Sequence, residues 1–431
     1  MKNMSNVNLY PHQKEALKST EQLNRCAFFH DMGLGKTYTG GEKLIRLGVK
    51  VNLVICQKSK ISDWVDHFKS NYHNLLVLDL TDKVDFKMFI IEKEYKCKSY
   101  DYMIGVINYE LAFRRPELSK LKDFTLMLDE SSLIQNDQAK RSKFILKKLK
   151  PANVILLSGT PTGGKYENLY SQLKLLGWNI SKETYWNTYI EYHYEDMGGF
   201  PVKFIDGYKN VDRLKRKMRE LGCHFLKTED VLELPEQVFT TIKIPVSKEY
   251  KKFRKDKVVE VDGNTLIGDN TLTKMLYERQ LCGQYSKAKL EAFKDLVEST
   301  EDRLIVFYNF TSEYELLNWQ VCDIADRPTS IVNGKTKDLT AYEKYNDSIT
   351  FIQYQAGAMG LNLQKANKII YYSPPLSSEL YEQSKKRTNR IGQDRTCYYY
   401  NLTVTGSIEE RIYKTLAMRK DFTEKLFEEV E

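Results

Sequence analysis

The octapeptide HDMGLGKT, residues 30–37, has the residue types of a phosphate-binding loop. Gly33 and Gly35 permit backbone N–H groups to approach an anion closely, and a helix beginning directly after them would add positive potential. In such a loop Lys36 reaches the β- and γ-phosphates of a nucleotide and Thr37 holds Mg²⁺. The competing interpretation is a tight glycine turn that happens to precede an exposed lysine.

A second stretch that could do chemistry, LMLDESS, carries two adjacent carboxylates. Asp129 leaves an apolar run, which is where P-loop enzymes place the acid that holds Mg²⁺. Glu130 beside it could polarise an attacking water. Adjacent carboxylates at a strand end are also a common solvated edge, so this pair takes its meaning from the glycine loop upstream.

The elements that must position these residues alternate along the N-terminal stretch of the chain. KTYTGGEKLIRLG (36–48) reads as a helix that stops at Gly48. Continuous apolar strands separated by helices predict a parallel sheet covered on both faces, with ligands at the carboxyl ends of the strands. The glycine loop, DESS and SGTPT all follow predicted strands. The predicted strands are CAFFH (26–30), VNLVICQ (51–57), DYMIGVINY (101–109), FTLMLDE (124–130) and NVILLSGT (153–160).

The pattern changes between residues 165 and 300, where helical stretches dominate and FTTIKIPV (239–246) alternates like a strand. We predict a mostly helical insertion and linker there, and expect the aromatic segment YIEYHYEDMGG (189–199) to pack within it. The domain prediction is lobe one at 1–164, the insertion and linker at 165–300, and lobe two at 301–431. A second parallel sheet is predicted from RLIVFYNF (303–310), TFIQYQA (350–356), NKIIYYSPP (367–375) and TCYYYNLTV (396–404).

Composition narrows the class of protein. The chain has 431 residues, of which 42% are hydrophobic, and a formal net charge of +8, which is compatible with a polyanionic partner. Its seven cysteines form no C-x-x-C pair, so the sequence indicates neither a zinc site nor a disulfide framework. It shows no signal peptide and no run of 18 apolar residues. We therefore expect an intracellular protein that is neither secreted nor embedded in a membrane. The family resemblance described next adds the expectation of a monomer in a bacterial or infected-host cytoplasm.

The order of motifs resembles that of superfamily two helicase-type ATPases, and specifically of the Swi/Snf family of double-stranded DNA translocases. HDMGLGKT resembles the family's D-E-M-G-L-G-K-T, whose first position is also not glycine; this accounts for His30. The match covers most of the chain. The other matching segments are NLYPHQKEAL (8–17), INYELAF (107–113), DESSLIQN (129–136), LSGTPT (157–162), ERQLCGQYSKAKLEAFKDLV (278–297), YQAGAMGLNLQKANKIIYY (354–372) and QSKKRTNRIGQ (383–393).

The resemblance implies an α/β fold of two RecA-like parallel-sheet lobes, with ATP and Mg²⁺ as cofactors and DNA, duplex preferred, as partner. Gln13 would select adenine, and Thr37 and Asp129 would hold the metal. The implied catalytic residues are Lys36, Asp129, Glu130, Arg387 and Arg390. The implied nucleotide-binding residues are Gln13, Met32, Gly33, Leu34, Gly35, Lys36, Thr37 and Gly360. Coupling is assigned to Ser158, Thr160 and Gln383, and DNA contacts to Lys58, Asn108 and Tyr109.

The two arginines of QSKKRTNRIGQ suit an arginine-finger role. Arg387 and Arg390 lie three apart on a predicted helix, so both would face the same way. Their charge would stabilise the γ-phosphate only when the second lobe closes on the first, which makes hydrolysis conditional on closure. Without the upstream motifs, a basic helix face with no partner would be the better interpretation.

Two departures from the family pattern bear on coupling rather than on nucleotide binding. Ser132 stands where the family has a histidine that couples the magnesium site to neighbouring motifs. Asn389 stands where the family has a histidine between the two arginines. The chain also lacks room for chromatin-binding reader domains, which suits a compact viral or bacterial version.

The predicted function is DNA-stimulated ATP hydrolysis that drives movement along duplex DNA and remodels or displaces bound proteins or DNA structures. A strand-separating helicase shares every ATPase motif and stays open as an alternative, although the sequence shows no clear wedge hairpin. An ATP-gated DNA clamp without sustained movement is a second alternative. A P-loop small-molecule kinase is disfavoured because a paired second lobe follows.

Overall fold

The chain divides into two α/β units in the computed structural model, which describes residues 6–95, 99–196, 201–324, 326–357 and 361–427. The first unit comprises residues 1–232 together with 421–431, and the second comprises residues 233–420. Each unit is built on its own seven-stranded sheet. The fold class predicted from the sequence, two lobes with parallel sheets, is confirmed.

The first sheet is parallel throughout, in the order β3-β4-β2-β5-β6-β1-β9. The side chains of the central strands are buried on both faces, which explains why the sequence shows continuous apolar runs there. The strands of this unit are β1 Arg25–His30, β2 Val51–Cys56, β3 Leu75–Asp79, β4 Tyr102–Asn108, β5 Phe124–Asp129, β6 Asn153–Ser158, β7 Ile190–Asp196, β8 Pro201–Tyr208 and β9 Cys223–Leu226.

Helices connect the strands of the first unit, and two hydrophobic clusters flank its sheet. Helix α2 ends before Gly48, whose φ of 68° is in the left-handed region that glycine tolerates, as the sequence predicts. The helices are α1 Pro11–Ser19, α2 Lys36–Arg46, α3 Ile61–Asn71, α4 Lys83–Tyr95, α5 Tyr109–Ala112, α6 Lys140–Lys147, α7 Tyr170–Leu175, α8 Lys182–Tyr189 and α9 Val211–Glu220.

The five strands predicted for this unit are confirmed, each within two residues at its ends. Two further strands of the sheet, β3 and β9, were not predicted. β9 pairs in parallel with β1, so residues 223–226 complete the first sheet although they lie far beyond residue 164. The boundary of the first unit therefore falls at residue 232 rather than at 164.

Strands β7 and β8 pair as an antiparallel hairpin, so the expectation of helical packing for YIEYHYEDMGG is wrong where the structure describes it. Residues 197–199 of that segment lie outside the described residues. Tyr192 and Tyr194 alternate with the polar residues Glu191, His193 and Glu195, which suits a strand with two different faces. On one face Lys203 Nζ lies 4.1 Å from the ring centre of Tyr192 and 4.5 Å from that of Trp186.

The second sheet has the order β10-β18-β17-β13-β16-β14-β15, and all its pairings are parallel except that of β14 with β15. The four strands predicted for lobe two and the strand predicted at 239–246 are all in this sheet. The strands of this unit are β10 Gln237–Ile244, β11 Val258–Val261, β12 Asn264–Ile267, β13 Leu304–Tyr308, β14 Thr329–Val332, β15 Lys337–Asp338, β16 Ile349–Gln353, β17 Lys368–Tyr371 and β18 Cys397–Val404.

The interval 165–300 is not a separate helical body, because its strands join three different sheets as well as the hairpin described above. β9 belongs to the first sheet, β10 to the second, and β11 pairs with β12. The helices from residue 233 onward are α10 Lys248–Asp256, α11 Thr271–Cys282, α12 Lys287–Glu298, α13 Thr311–Ile324, α14 Thr340–Lys344, α15 Tyr354–Gly357, α16 Ser378–Lys385 and α17 Ile408–Phe427.

No helix within the described ranges combines the length and the apolar character that a membrane span requires.

Candidate nucleotide-binding site

Three neighbouring strands of the first sheet, β5, β6 and β1, end at the same edge. Their last residues, Asp129, Ser158 and His30, lie side by side at this edge. One of the segments identified in the sequence begins at or directly after the end of each strand. Because the strands are parallel, this edge is a carboxyl edge, where α/β proteins bind ligands. The glycine loop, the carboxylate pair and SGTPT are thus brought together, as the sequence predicts.

The glycine loop connects β1 to α2 and has the backbone of a phosphate cradle. Gly33 and Gly35 have φ values of 91° and 69°, which side chains with a Cβ rarely adopt. Helix α2 begins directly at Lys36, so its first N–H groups lie at the loop. Lys36 Nζ donates to the carbonyl oxygens of His30 at 2.9 Å and Asp31 at 3.1 Å.

Polar side chains brace this loop from outside. Gln13 Nε2 donates to the carbonyls of Leu34 at 3.3 Å and Gly35 at 3.2 Å, and Gln13 is buried. A Cβ on Gly35 would lie 2.4 Å from Gln13 Nε2, so only glycine fits there. On the other side, the Asp31 carboxylate accepts from the backbone N–H of Thr228 at 3.1 Å. Gln13, predicted to select adenine, therefore also supports the loop backbone.

Asp129 is held by a residue that the sequence reasoning missed. The indole N–H of Trp64 on α3, with 1% of its surface exposed, donates to Asp129 Oδ2 at 2.9 Å. Burial raises the pKa of Asp129, while the Trp64 hydrogen bond and the charge of Lys36 act in the opposite direction. In the sequence, the tryptophan of ISDWVDHFKS is the only sign of this contact. Its partner Asp129 lies 65 residues away, so the pairing could not be predicted.

Glu130 is one of the described non-glycine residues with positive φ, at 52°, and it begins the 3₁₀ turn Ser131–Ile134. A glutamate in the left-handed region is strained, and such strain persists only where neighbouring contacts restrain the backbone. It concentrates at functional sites, which agrees with the position of this carboxylate directly after Asp129.

The SGTPT loop lies against the glycine loop. A Cβ on Gly159 would lie 3.1 Å from Met32 Cγ and 3.4 Å from Lys36 Nζ, so a larger residue would crowd both. Within the loop, the backbone N–H of Thr160 donates to Ser158 Oγ at 3.2 Å. The structure thus places Ser158 and Thr160, predicted as coupling residues, beside the lysine of the phosphate cradle.

The three residues predicted to contact DNA differ in their exposure to solvent. The Tyr109 side chain is only 1% exposed, and its hydroxyl donates to the carbonyl of Asp129 at 2.8 Å, so its assignment as a DNA contact is corrected. Burial fixes it as a support of the carboxylate pair. Asn108 is also buried, and its Nδ2 donates to Glu110 at 3.1 Å. Lys58 is exposed, in the 3₁₀ turn Lys58–Lys60.

The donors at this edge fit a magnesium nucleotide. The hydroxyl of Thr37 and the carboxylate of Asp129 are the hard oxygen ligands that Mg²⁺ prefers, and magnesium in such sites takes its remaining ligands from water and phosphate. The described residues contain no group of three or more His, Cys, Asp or Glu placed to hold a metal by themselves. The glycine cradle and Lys36 supply the complementary groups for the phosphates.

Arg387 and Arg390 are not on a helix, which corrects the argument from their spacing. Helix α16 ends at Lys385, whose carbonyl accepts from Tyr399 OH at 2.9 Å, from Thr388 Oγ1 at 3.3 Å and from the Asn389 N–H at 3.5 Å. Turns follow, so Arg387 and Arg390 need not face the same way. Arg387 is 5% exposed.

The turn that carries these arginines is tied to the preceding motif. Arg390 Nη1 donates to Asn362 Oδ1 at 2.5 Å, and the N–H of Leu363 donates to the Arg387 carbonyl at 3.1 Å. Burial lowers the pKa of Arg390. Gln383, predicted as a coupling residue, is buried on α16 and donates to Glu379 at 3.3 Å. Gly360, predicted to contact nucleotide, lies outside the described residues.

Two histidines meet at the end of β1, where the glycine loop begins. His30 Nε2 and His224 Nδ1 are 2.9 Å apart across β1 and β9; His30 has no exposed surface, and His224 is half-buried. Burial, followed by the charge of His224, lowers the pKa of His30 well below 6.5, and burial also lowers that of His224. Both imidazoles are therefore neutral near pH 7, which lets one ring donate to the other.

Two domain families match this chain and together cover most of it. The SNF2-related domain matches residues 12–287, and the helicase conserved C-terminal domain matches residues 288–392. The first of these spans the glycine loop, the carboxylate pair and SGTPT, and the second spans both arginines.

Individual relatives have low sequence identity to this chain but align over most of its length. The ATP-dependent helicase YqhH of Bacillus subtilis is 23% identical, covering 98% of this chain and 80% of that protein. The mouse SWI/SNF-related matrix-associated actin-dependent regulator of chromatin subfamily A member 1 is 24% identical over 89% of this chain and 39% of that protein. A solved structure, the Sulfolobus solfataricus SWI2/SNF2 ATPase core in complex with dsDNA, aligns over 98% of this chain and 93% of that chain, at 19% identity and a TM-score of 0.45. This chain thus spans well under half of the mouse relative.

From the lowered pKa values of His30 and His224, we predict that acid destabilises the first unit. Their folded-state pKa values are lowered, so stability is fully present above about pH 6.5 and falls as pH drops, because the unfolded chain takes up protons first. Between pH 7.5 and 5.5 we expect a loss of about 1 kcal/mol from His30, measured by urea unfolding. His30→Gln should reduce this pH dependence, whereas His73→Gln, on the surface, should not. An equally steep pH dependence in His30→Gln would contradict the assignment.

Proposed function

The chain belongs to the SNF2-related family, and from that membership we propose that it hydrolyses ATP in response to DNA and moves along double-stranded DNA without separating the strands. The observation that carries this proposal is the arrangement at the carboxyl edge of the first sheet. There the glycine loop, the Asp129–Glu130 pair and SGTPT follow three adjacent strands. Both domains of a helicase-type ATPase are present in one chain.

In the proposed ATP site each residue has one task. The glycine loop and the start of α2 bind the phosphates, and Lys36 neutralises the β- and γ-phosphates. Thr37 and Asp129 would hold Mg²⁺, which when bound draws charge from the phosphate oxygens. Glu130 orients the attacking water and accepts its proton. Trp64 keeps the Asp129 carboxylate in one orientation through its hydrogen bond.

We assign Arg387 and Arg390 to stabilisation of the γ-phosphate during hydrolysis. Since they follow α16 in a turn, their roles need not be equal. Arg390 is held by Asn362, while Arg387 is almost fully buried. Gly360 and Gln383 stay assigned to nucleotide binding and coupling on the strength of their motifs.

A concentration of positive charge supports DNA as the partner. Residues 248–257, essentially helix α10, carry six lysines and arginines against two acids, so they supply four of the chain's eight net positive charges. All six cationic side chains are exposed, while Tyr250 and Phe253 bury the opposite face of the helix. A positive helix face of this kind binds phosphates without reading sequence. Lys58 adds an exposed cation in the first unit.

One observation favours the helicase alternative: the β7–β8 hairpin is an element of the type that could separate the strands of a duplex. The charge of the hairpin disfavours such a role. Acidic residues outnumber basic ones along it, which disfavours close contact with phosphates. The acidic residues are Glu191, Glu195, Asp196 and Asp206, and the one lysine is Lys203. Translocation without strand separation therefore stays the first choice, and an ATP-gated clamp the third.

The oligomeric state, cellular location and cofactors are also part of the proposal. The activities and partners of the long relatives concern whole proteins of which this chain matches only a portion. We propose a monomer that acts in the cytoplasm of a bacterium or of an infected host cell, with ATP and Mg²⁺ as cofactors. Remodelling or displacement of bound proteins would follow from movement along the duplex.

The chemical roles predict distinct defects for two substitutions. Lys36→Ala should abolish turnover and weaken ATP binding, because it removes a phosphate contact. Glu130→Gln should bind ATP normally and lose about two to four orders of magnitude in kcat, because it keeps the shape but not the base. Steady-state phosphate release and binding of a fluorescent ATP analogue measure the two quantities. Glu110→Gln, an exposed carboxylate in the same unit, is the control; parent-like turnover in Glu130→Gln would refute the assignment.

The arginine roles predict turnover defects without loss of ATP affinity. Arg387→Ala and Arg390→Ala should each lower DNA-stimulated kcat by roughly 10³-fold, as removal of other arginine fingers does, with ATP affinity little changed. Arg395→Ala in the same unit, whose guanidinium pairs with Asp302 and Lys365 O, should keep normal turnover. Full DNA-stimulated turnover in either variant would remove that arginine from the γ-phosphate.

Movement along duplex DNA predicts a specific pattern across substrates. Opening a duplex costs about 1.4 kcal/mol per base-pair step, whereas tracking an intact duplex needs only phosphate contacts. We expect duplex DNA to stimulate ATPase activity at least as well as single strands, with strong salt dependence and little sequence dependence. A third strand should be displaced from a triplex with ATP, but not by Glu130→Gln, and a forked duplex should stay paired. Fork unwinding without triplex displacement would favour the helicase, and stimulation with neither would favour the clamp.

A further inference from the structure

The carboxylate pair after β5 and the SGTPT loop after β6 are joined through a side chain on a third element. Ser131 Oγ donates to Gln172 Oε1 at 2.7 Å, and Gln172 Nε2 donates to the carbonyl of Pro161 at 2.7 Å. Gln172 lies on α7, and both Gln172 and Ser131 are fully buried. None of the motifs in the sequence singled out this glutamine.

The direction of these hydrogen bonds is fixed by chemistry. The Pro161 carbonyl can only accept, so the amide nitrogen of Gln172 must face it and the amide oxygen must face Ser131. Ser131 Oγ must then donate. Each group in the bridge has a defined partner, so no rotation of the amide satisfies both neighbours equally well.

The bridge begins beside the strained residue of the site. Glu130 holds a φ of 52°, and a side chain in that region keeps it only when its surroundings restrain it. Ser131 is the next residue, and its hydrogen bond to Gln172 supplies such a restraint from outside the turn. Loss of the bridge would allow Glu130 to relax toward an ordinary backbone conformation.

At its other end the bridge reaches the phosphate cradle. Pro161 lies two residues after Gly159, at whose position a Cβ would lie 3.4 Å from Lys36 Nζ. Hydrogen bonds thus link the residue after Glu130 to the SGTPT loop, and Gly159 of that loop lies close to Lys36. All of these residues belong to the first unit.

We propose that Gln172 is a positioning residue for ATP hydrolysis, which fixes Glu130 relative to the SGTPT loop and Lys36. Because it is fully buried, it acts through Ser131 and Pro161 rather than on the reacting groups themselves. This inference rests on the proposed function, since it presupposes that Glu130 activates the water. It assigns to a glutamine on α7 the link between the two motifs.

The test uses Gln172→Met, which keeps the length of the side chain and removes both hydrogen bonds, and Ser131→Ala, which removes a single hydroxyl. We expect each to lower kcat by roughly 10- to 100-fold, as small misplacements of catalytic groups do, while the Kd for an ATP analogue stays within about twofold. Because both act on one bridge, the double variant should lose no more than the worse single variant. Ser131→Thr, which keeps a hydroxyl, should recover some of the turnover.

The matched control lies at the opposite ends of the same two strands. Asn153 Nδ2 on β6 donates to Thr125 Oγ1 on β5 at 3.3 Å, and both residues are buried. Thr125→Val removes this hydrogen bond far along the strands from the carboxyl edge. It should lower the thermal midpoint as Ser131→Ala does, yet keep the parent kcat.

Several results would overturn the proposal. One is a kcat within about twofold of the parent in a folded Gln172→Met or Ser131→Ala protein, and another is multiplication of the two single losses in the double variant. An equal loss of kcat in Thr125→Val would show a general stability effect instead. If Gln172→Met does not fold, Ser131→Ala decides. Glu130→Gln assayed alongside separates the cases: parent-like turnover there refutes the proposed function, and the inference with it.

Discussion

A half-buried carboxylate at the end of a central strand is the constraint around which the first unit is organised. Asp129 sits at the end of β5, where burial alone raises its pKa. An ionised group there needs compensating donors and charges, and the fold supplies the Trp64 indole N–H and the Lys36 ammonium nearby. The Tyr109 hydroxyl fixes the backbone of the same residue. Helix α3, the glycine loop and the start of α5 thus all converge on one residue.

In the second unit, two hydroxyl groups donate to the carbonyl at the end of a helix. Thr388 and Tyr399 occupy the carbonyl of Lys385, and the chain leaves α16 in a turn. That turn, rather than a helix face, determines where Arg387 and Arg390 point. The hydrogen bond from Arg390 to Asn362 ties it to the segment that precedes β17. Spacing along the sequence could not show this, because Tyr399, which donates to the last carbonyl of the helix, comes from the distant strand β18.

Local pattern was sufficient for much of the fold and for the core of the site. Buried parallel strands are continuous apolar runs, so β1, β2, β5 and β6 could be predicted. The positions of the residues that directly follow these strands could be predicted with them. Gly33 and Gly35 could be predicted as a cradle because only glycine readily adopts the backbone that such a loop requires. Short strands such as β9, and the hairpin of β7 and β8, were missed because a few aromatic or polar residues carry too weak a period.

The sequence by itself therefore determined which residues can do chemistry: Lys36, Asp129 and Glu130 follow from residue type, spacing and position after apolar strands. Only the tertiary structure decided what holds them. Trp64 contacts Asp129 from 65 residues away, and Gln172 reaches Ser131 from 41 residues away. Such contacts depend on the order of strands in the sheet and on the packing of helices over it. A hydrogen bond between residues distant in the chain leaves no periodic trace in either segment.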